Sequence, residues 1–209
     1  MNICNTLNTI KTSLPKDFPA LKLRESYKRN PYTILMVTLL SLRSKDEKTA
    51  VVASELFNTI QTPQELLQKS IEELEDAIKP IGMQKQKAKS LKDISEVLIS
   101  NYNSIVPQNK DDLLSIKGIG EKTANIVLNN AYNKGVIAVD THVHRICNLL
   151  GIIDTKNELE SSKVLNDIVP KECKEEFNFY IVAFGQSICK VKNPLCESCP
   201  LKNICKEYL

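Results

Sequence analysis

An all-α fold is predicted by three features of the 209-residue sequence. Helix-start signals recur along the chain, apolar residues return at helical spacing, and strand evidence is confined to one short segment. The first start is Asn30-Pro31, an N-cap followed by proline at the first helical position, where a missing N–H costs nothing. The apolar run 34–42 then fits a buried helix. Thr62-Pro63-Gln64-Glu65 is a capping box, in which the threonine and the glutamate three residues on satisfy each other's orphan N–H groups. Ser70-Ile71-Glu72-Glu73 repeats that logic. Phe177, Tyr180, Ile181 and Phe184 fall at i, i+3, i+4 and i+7, one helical face, and Gly185 suits a C-terminal cap after them. The strand candidate is 136–139, which is short and runs into a helix start. No Pro/Gly/Ser-rich linker divides the chain, so a second domain is expected to pack tightly on the first.

Composition narrows the class. Apolar residues make up 42% and charged residues 25%, enough for a real core in a soluble globular protein. The net charge of +3 neither requires nor excludes nucleic acid, so any binding must come from a local patch. No apolar run reaches membrane-spanning length, and the start lacks the regions of a signal peptide. An intracellular location (cytoplasm or nucleoid) is expected. Seven cysteines there should not form disulfides, and an odd number argues against a disulfide framework.

Four of the seven, Cys189, Cys196, Cys199 and Cys205, are spaced by six, two and five residues. Zinc favours two close pairs of ligands, and here only Cys196 and Cys199 form one. A cubane cluster needs four thiolates wrapped around one body, which a winding loop supplies. The remaining three, Cys4, Cys147 and Cys173, are expected to be simply buried. Lys190, Lys192, Lys202 and Lys206 lie among the clustered cysteines, either as a solvated loop or as a metal-stiffened loop offering cations to phosphate.

The most informative stretch is 113–124. A helix ending near Ile116 meets Lys117-Gly118-Ile119-Gly120, and a second helix starts near Glu121. Two glycines permit a tight turn and close backbone approach, Ile119 can anchor the turn in the core, and the second helix's first N–H groups favour an anion. Such a hairpin can hold a DNA phosphate without reading sequence; it can also be an ordinary turn between helices. Lys122 lies in the first turn of the second helix. A cation there opposes the helix dipole, a small cost to stability that favours the neutral, nucleophilic amine. Asp140 can N-cap the helix bearing Val143 and Ile146, and a carboxylate could also stabilise positive charge on a sugar or accept a proton. His142 and His144 are two apart and do not share a helix face, so joint metal binding is not expected; His142 or Arg145 could contact phosphate.

The hairpin from Lys117 through Lys122 to Ala124, the run Val139-Asp140-Thr141-His142 and the six-two-five cysteine spacing together resemble the endonuclease III family. The resemblance covers the chain from Asn30-Pro31 to Cys205. It implies a two-domain helix–hairpin–helix DNA glycosylase architecture: a six-helix domain over residues 23–133, and an iron–sulfur cluster domain formed by 1–22 plus 134–209. It implies a DNA-binding cleft with Lys122 facing Asp140. There the lysine attacks C1′ of a flipped, damaged nucleotide, expels the base and permits β-elimination on the 3′ side. Cys189, Cys196, Cys199 and Cys205 would hold a 4Fe-4S cluster. The partner would be double-stranded DNA carrying a damaged base (an oxidised pyrimidine by this resemblance) or an abasic site, bound by a monomer. Two wedges fill the void left in the duplex; they correspond here to Arg43, where glutamine is common, and Met83, in place of leucine. DNA-binding residues would be Lys117, Gly118, Ile119, Gly120, Arg43, Met83 and His142. Lys117 departs from the usual proline of the hairpin. Alternatives are a monofunctional mismatch glycosylase, which would lack the lysine at position 122, and a non-catalytic iron–sulfur DNA-binding protein. With four residues beyond Cys205, no additional recognition domain is expected.

Overall fold

The computed structural model describes residues 2–15 and 30–208 and is helical throughout; among the described residues no strand occurs. No helix among them is long and apolar enough to cross a membrane. The chain divides into two compact units, Met1–Phe18 with Lys134–Leu209, and Pro19–Asn133. The expected boundary between residues 22 and 23 lies outside the described residues.

The continuous unit is built around α2 (Pro31–Ser41), whose residues Tyr32 to Leu40 are all buried. A helix apolar all round has no solvent face, so its neighbours must enclose it. They are α3 (Asp46–Thr59), α6 (Gln84–Tyr102) and α8 (Glu121–Tyr132), with α4 (Pro63–Leu67), α5 (Ile71–Ile78) and α7 (Lys110–Ser115) completing the unit. The start of α2 follows the sequence: Asn30 caps it, accepting from the Thr33 N–H at 2.9 Å. Thr62 and Ser70 form capping boxes with Glu65 and Glu73. Tyr32 is deep in the core, where burial pushes its phenol far up and its hydroxyl is paired with Ser95 Oγ at 2.8 Å.

In the other unit, α11 (Lys171–Ser187) supplies Phe177, Tyr180, Ile181 and Phe184 to the core. Against it pack α1 (Ile3–Ser13) and α9 (Thr141–Leu149), and α10 (Glu158–Ile168) closes on α9. The segment 136–139 is not a strand. Its backbone is satisfied by side chains instead: Asn166 accepts from the Ile137 N–H at 2.8 Å and donates to the Ile137 carbonyl, and Asn178 donates to the Ala138 carbonyl at 2.8 Å.

Two further expectations are corrected. Gly185 does not cap α11 but lies inside it, because its role is steric: a Cβ there would stand 2.5 Å from His142 Nδ1 and 2.9 Å from Ile146 Cδ1 on α9. Cys4 and Cys173 are not separate buried thiols. Packing of α1 on α11 brings their Cα atoms to 5.8 Å, and they are joined as a disulfide. Cys147 is buried and free, as expected.

Candidate functional site

The hairpin begins where α7 stops at Ser115 and is closed by a hydrogen bond from the Ile119 N–H to the Ile116 carbonyl at 3.0 Å. Gly118 has φ +99°, a backbone that an L side chain strains to adopt. Ile119 is 5% exposed and pins the turn to the core, while Lys117, Gly118 and Gly120 remain exposed. Gly120 is the N-cap of α8 and has no side chain to cover the helix's first N–H groups. Lys122 is the second residue of α8 and is half-buried. Thr123 and Ala124 turn inward beside it, which fixes the face the lysine occupies. Lys110 and Glu121 bridge α7 and α8 at 2.6 Å.

Asp140 is the N-cap of α9, its Oδ1 accepting from the His142 and Val143 N–H groups, each at 3.0 Å. The carboxylate is therefore held in one orientation by two backbone donors. His142 is the second residue of α9, with its Nδ1 buried, without a hydrogen-bond partner, and pressed on Gly185. His144 is engaged elsewhere, with Nδ1 at 2.6 Å from Ser161 Oγ. Arg145 reaches the cysteine loop, donating to the Cys189 carbonyl and to Cys189 Sγ at 3.3 Å. The sequence left a phosphate contact from Arg145 open; in the structure its guanidinium is engaged with Cys189.

Arg43 and Met83 both sit in left-handed backbone, at φ 56° and 55°, and Gly82 before Met83 has φ 75°. Arg43 is exposed and Met83 is 42% exposed, so Met83 fills no core gap. Non-glycine residues at positive φ cost on the order of 1 kcal/mol each and persist where surrounding contacts hold them. Those contacts come from Ser44, whose hydroxyl donates to the Ile81 carbonyl, and from Lys87, whose backbone N–H donates to the Met83 carbonyl; neither belongs to a sequence motif. The signal was present: Lys87, Leu91, Ile94 and Leu98 share one helical face, and that face is buried.

The four clustered cysteines are free thiols lining one pocket, with Ile188, Pro194, Leu195, Lys202 and Tyr208 among its walls. Burial pushes the Cys199 thiol up, a hydrogen bond from the Leu201 backbone opposes this, and Cys189, Cys205 and Cys196 add to the rise. Cys199 therefore feels the other three. Among the described residues no three His, Cys, Asp or Glu side chains are grouped to hold a single metal ion.

Residues 36–171 match the HhH-GPD superfamily of base excision DNA repair proteins. Endonuclease III of Thermotoga maritima is 41% identical over 97% of this chain and 93% of its own length. The chain belongs to the endonuclease III family. Endonuclease III of Bacillus subtilis is 37% identical over 85% of this chain and 82% of its own. Among solved structures, an endonuclease III in a non-covalent DNA complex superposes with a TM-score of 0.84 at 33% identity, covering 99% of this chain and 94% of that one. A trapped endonuclease III–DNA covalent intermediate gives 0.80 at 35% identity, over 89% and 93%. A thermostable thymine-DNA glycosylase also gives 0.84, at 26% identity, over 98% and 95%. The all-α helix–hairpin–helix class expected from the sequence is thus the fold of the family.

Proposed function

We propose that this chain is a bifunctional DNA N-glycosylase and abasic-site lyase of base-excision repair, acting on oxidised pyrimidines in double-stranded DNA. The observation that carries the reading is Lys122, half-buried in the first turn of α8, directly after an exposed glycine hairpin whose cap leaves backbone donors uncovered. A phosphate held at that helix start brings deoxyribose within reach of an amine.

The chemistry follows from two groups. The Lys122 nitrogen forms a bond to C1′ of the extruded nucleotide, and the glycosidic bond breaks with its electron pair leaving on the base. Nitrogen gives up one proton, the C1′–O4′ bond breaks with its electron pair and a proton passing to O4′, and the opened sugar is left as a protonated Schiff base. Loss of a C2′ proton then drives cleavage of the C3′–O bond, with the 3′ phosphate as leaving group. The Asp140 carboxylate stabilises positive charge on the sugar and receives the amine's proton. Its two backbone hydrogen bonds keep it oriented for both roles. Lys117, Gly118, Ile119 and Gly120 grip the phosphate, His142 adds a contact, and Arg43 and Met83 fill the gap left in the duplex. Extrusion favours damaged bases, which cost less to unstack.

Cys189, Cys196, Cys199 and Cys205 would hold a 4Fe-4S cluster. The four share one pocket, and their six-two-five spacing gives a single close pair, which suits a cubane better than zinc with its two close pairs of ligands. When bound, the cluster supplies four thiolate bonds that tie the terminal loop together and no reacting atom. Arg145 joins α9 to that loop through Cys189.

A monofunctional mismatch glycosylase is the second reading, because a thymine-DNA glycosylase shares the fold. Lys122 disfavours it. The test is a duplex with one oxidised pyrimidine, resolved under denaturing conditions. The wild type should release the base and cut the strand, and Lys122→Gln should do neither. Base release without strand cutting by the wild type would favour the mismatch-type reading.

A further inference from the structure

Lys87 is a lysine on the buried face of α6, only 8% exposed. A buried amine is unfavourable unless its donors are used. Here they are. Nζ donates to the Leu40 carbonyl at 2.6 Å and to Ser44 Oγ. The Ser44 hydroxyl, having accepted, donates in turn to the Ile81 carbonyl at 3.0 Å. The Leu40 carbonyl lies in the last turn of α2, where helical acceptors run out. The Ser44 N–H that might have reached it bonds Ser41 instead, at 3.1 Å.

The ends of this chain of hydrogen bonds are the two left-handed turns. Arg43 immediately precedes Ser44; Gly82 and Met83 immediately follow Ile81. Lys87 also donates its own N–H to the Met83 carbonyl at 3.0 Å. One residue therefore touches both turns, by side chain on one and backbone on the other. We propose that Lys87 and Ser44 are positioning residues that brace Arg43 and Met83 into a single rigid wedge, setting the efficiency with which a nucleotide is extruded from duplex DNA. The inference rests on the glycosylase reading and on the wedge assignment within it.

The test compares cleavage of one oxidised pyrimidine in duplex DNA with cleavage of the same lesion in the unpaired strand, under single-turnover conditions with the full-length, cluster-loaded protein. A brace acts on extrusion and so moves the duplex-to-single-strand ratio; a purely structural residue slows both substrates alike. Ser44→Ala and Lys87→Met should each lower the ratio about tenfold, the scale of a lost hydrogen bond to a charged group. Ser44→Thr, which keeps the hydroxyl, should recover most of it. Met83→Ala should lower the ratio similarly, and Ser44→Ala combined with Met83→Ala should be no lower than Met83→Ala alone, since both disable one device. Should Lys87→Met unfold, Ser44→Ala carries the test, because it leaves the amine on the Leu40 carbonyl. An unchanged ratio in Ser44→Ala beside a lowered one in Met83→Ala would overturn the brace alone. An unchanged ratio in Met83→Ala would remove the wedge and the brace with it, and leave the glycosylase reading to the Lys122 variants.

Discussion

Substituting Gly185 by alanine should destabilise the protein, against the usual direction for a helical glycine. Within a helix, alanine is favoured over glycine by about 1 kcal/mol. At this position the added Cβ would stand 2.5 Å from His142 Nδ1, 2.9 Å from Ile146 Cδ1 and 3.1 Å from His142 Cγ. Ordinary contact is about 3.5–4 Å, so α9 and α11 would have to part by roughly 1 Å. Overpacking costs about 1–3 kcal/mol, and two side chains of a packed helix are displaced at once, which argues for the upper end. Subtracting the propensity gain leaves a net loss of about 2 kcal/mol, or about 4–8 °C in Tm for a chain of this size. Urea and thermal unfolding measure it. Gly120→Ala, with no atom within 4 Å of its new Cβ, lacks the clash and should cost only the poorer N-cap, about 1 kcal/mol or less. In a His142→Ala background the Gly185→Ala penalty should shrink. A Gly185→Ala variant as stable as the wild type would refute the argument that close approach of α9 to α11 requires glycine.

The other predictions follow from single groups. Asp140→Asn should keep the α9 cap, because asparagine caps as well as aspartate, yet lose most glycosylase activity; Asp140→Ala should in addition cost about 1 kcal/mol of stability, measured by urea unfolding. Cys199→Ser should lose the brown absorbance near 410 nm, roughly where thiolate–iron charge transfer lies, with metal analysis reading the iron content. A colourless wild type holding stoichiometric zinc would contradict that assignment. Burial lowers the Lys87 proton affinity below that of the unfolded chain. Between the lowered folded value and the ordinary 10.5, the unfolded state holds more protons, so stability should rise with pH in that window. Unfolding at a series of alkaline pH values should show this rise in the wild type and its loss in Lys87→Met.

Much of the local structure was legible because its causes are local. Asn30, Thr62 and Ser70 cap the helices they precede, and the glycine hairpin separates α7 from α8 close to where its sequence turns. What escaped depends on neighbours distant in sequence. Gly185 read as a helix end because a glycine needed for close packing has the same letter as one needed for positive φ. Residues 136–139 offer a strand candidate in the sequence because their partners, Asn166 and Asn178, lie on two other helices. Cys4 and Cys173 are 169 positions apart and meet only once α1 packs on α11. Lys87 shows the reverse case: its placement on an apolar helical face was visible, but its two acceptors, Leu40 and Ser44, were not.

The central claim is that one amine, at the second position of α8, joins covalently to the sugar of damaged DNA. Borohydride reduction during reaction with abasic-site DNA, followed by proteolysis and mass mapping of the adduct, tests it directly. The account predicts a single DNA-modified peptide, with the mass increment on Lys122, and no adduct from Lys122→Ala although that variant still binds DNA. An adduct mapped to another lysine, or undiminished trapping by Lys122→Ala, would contradict it.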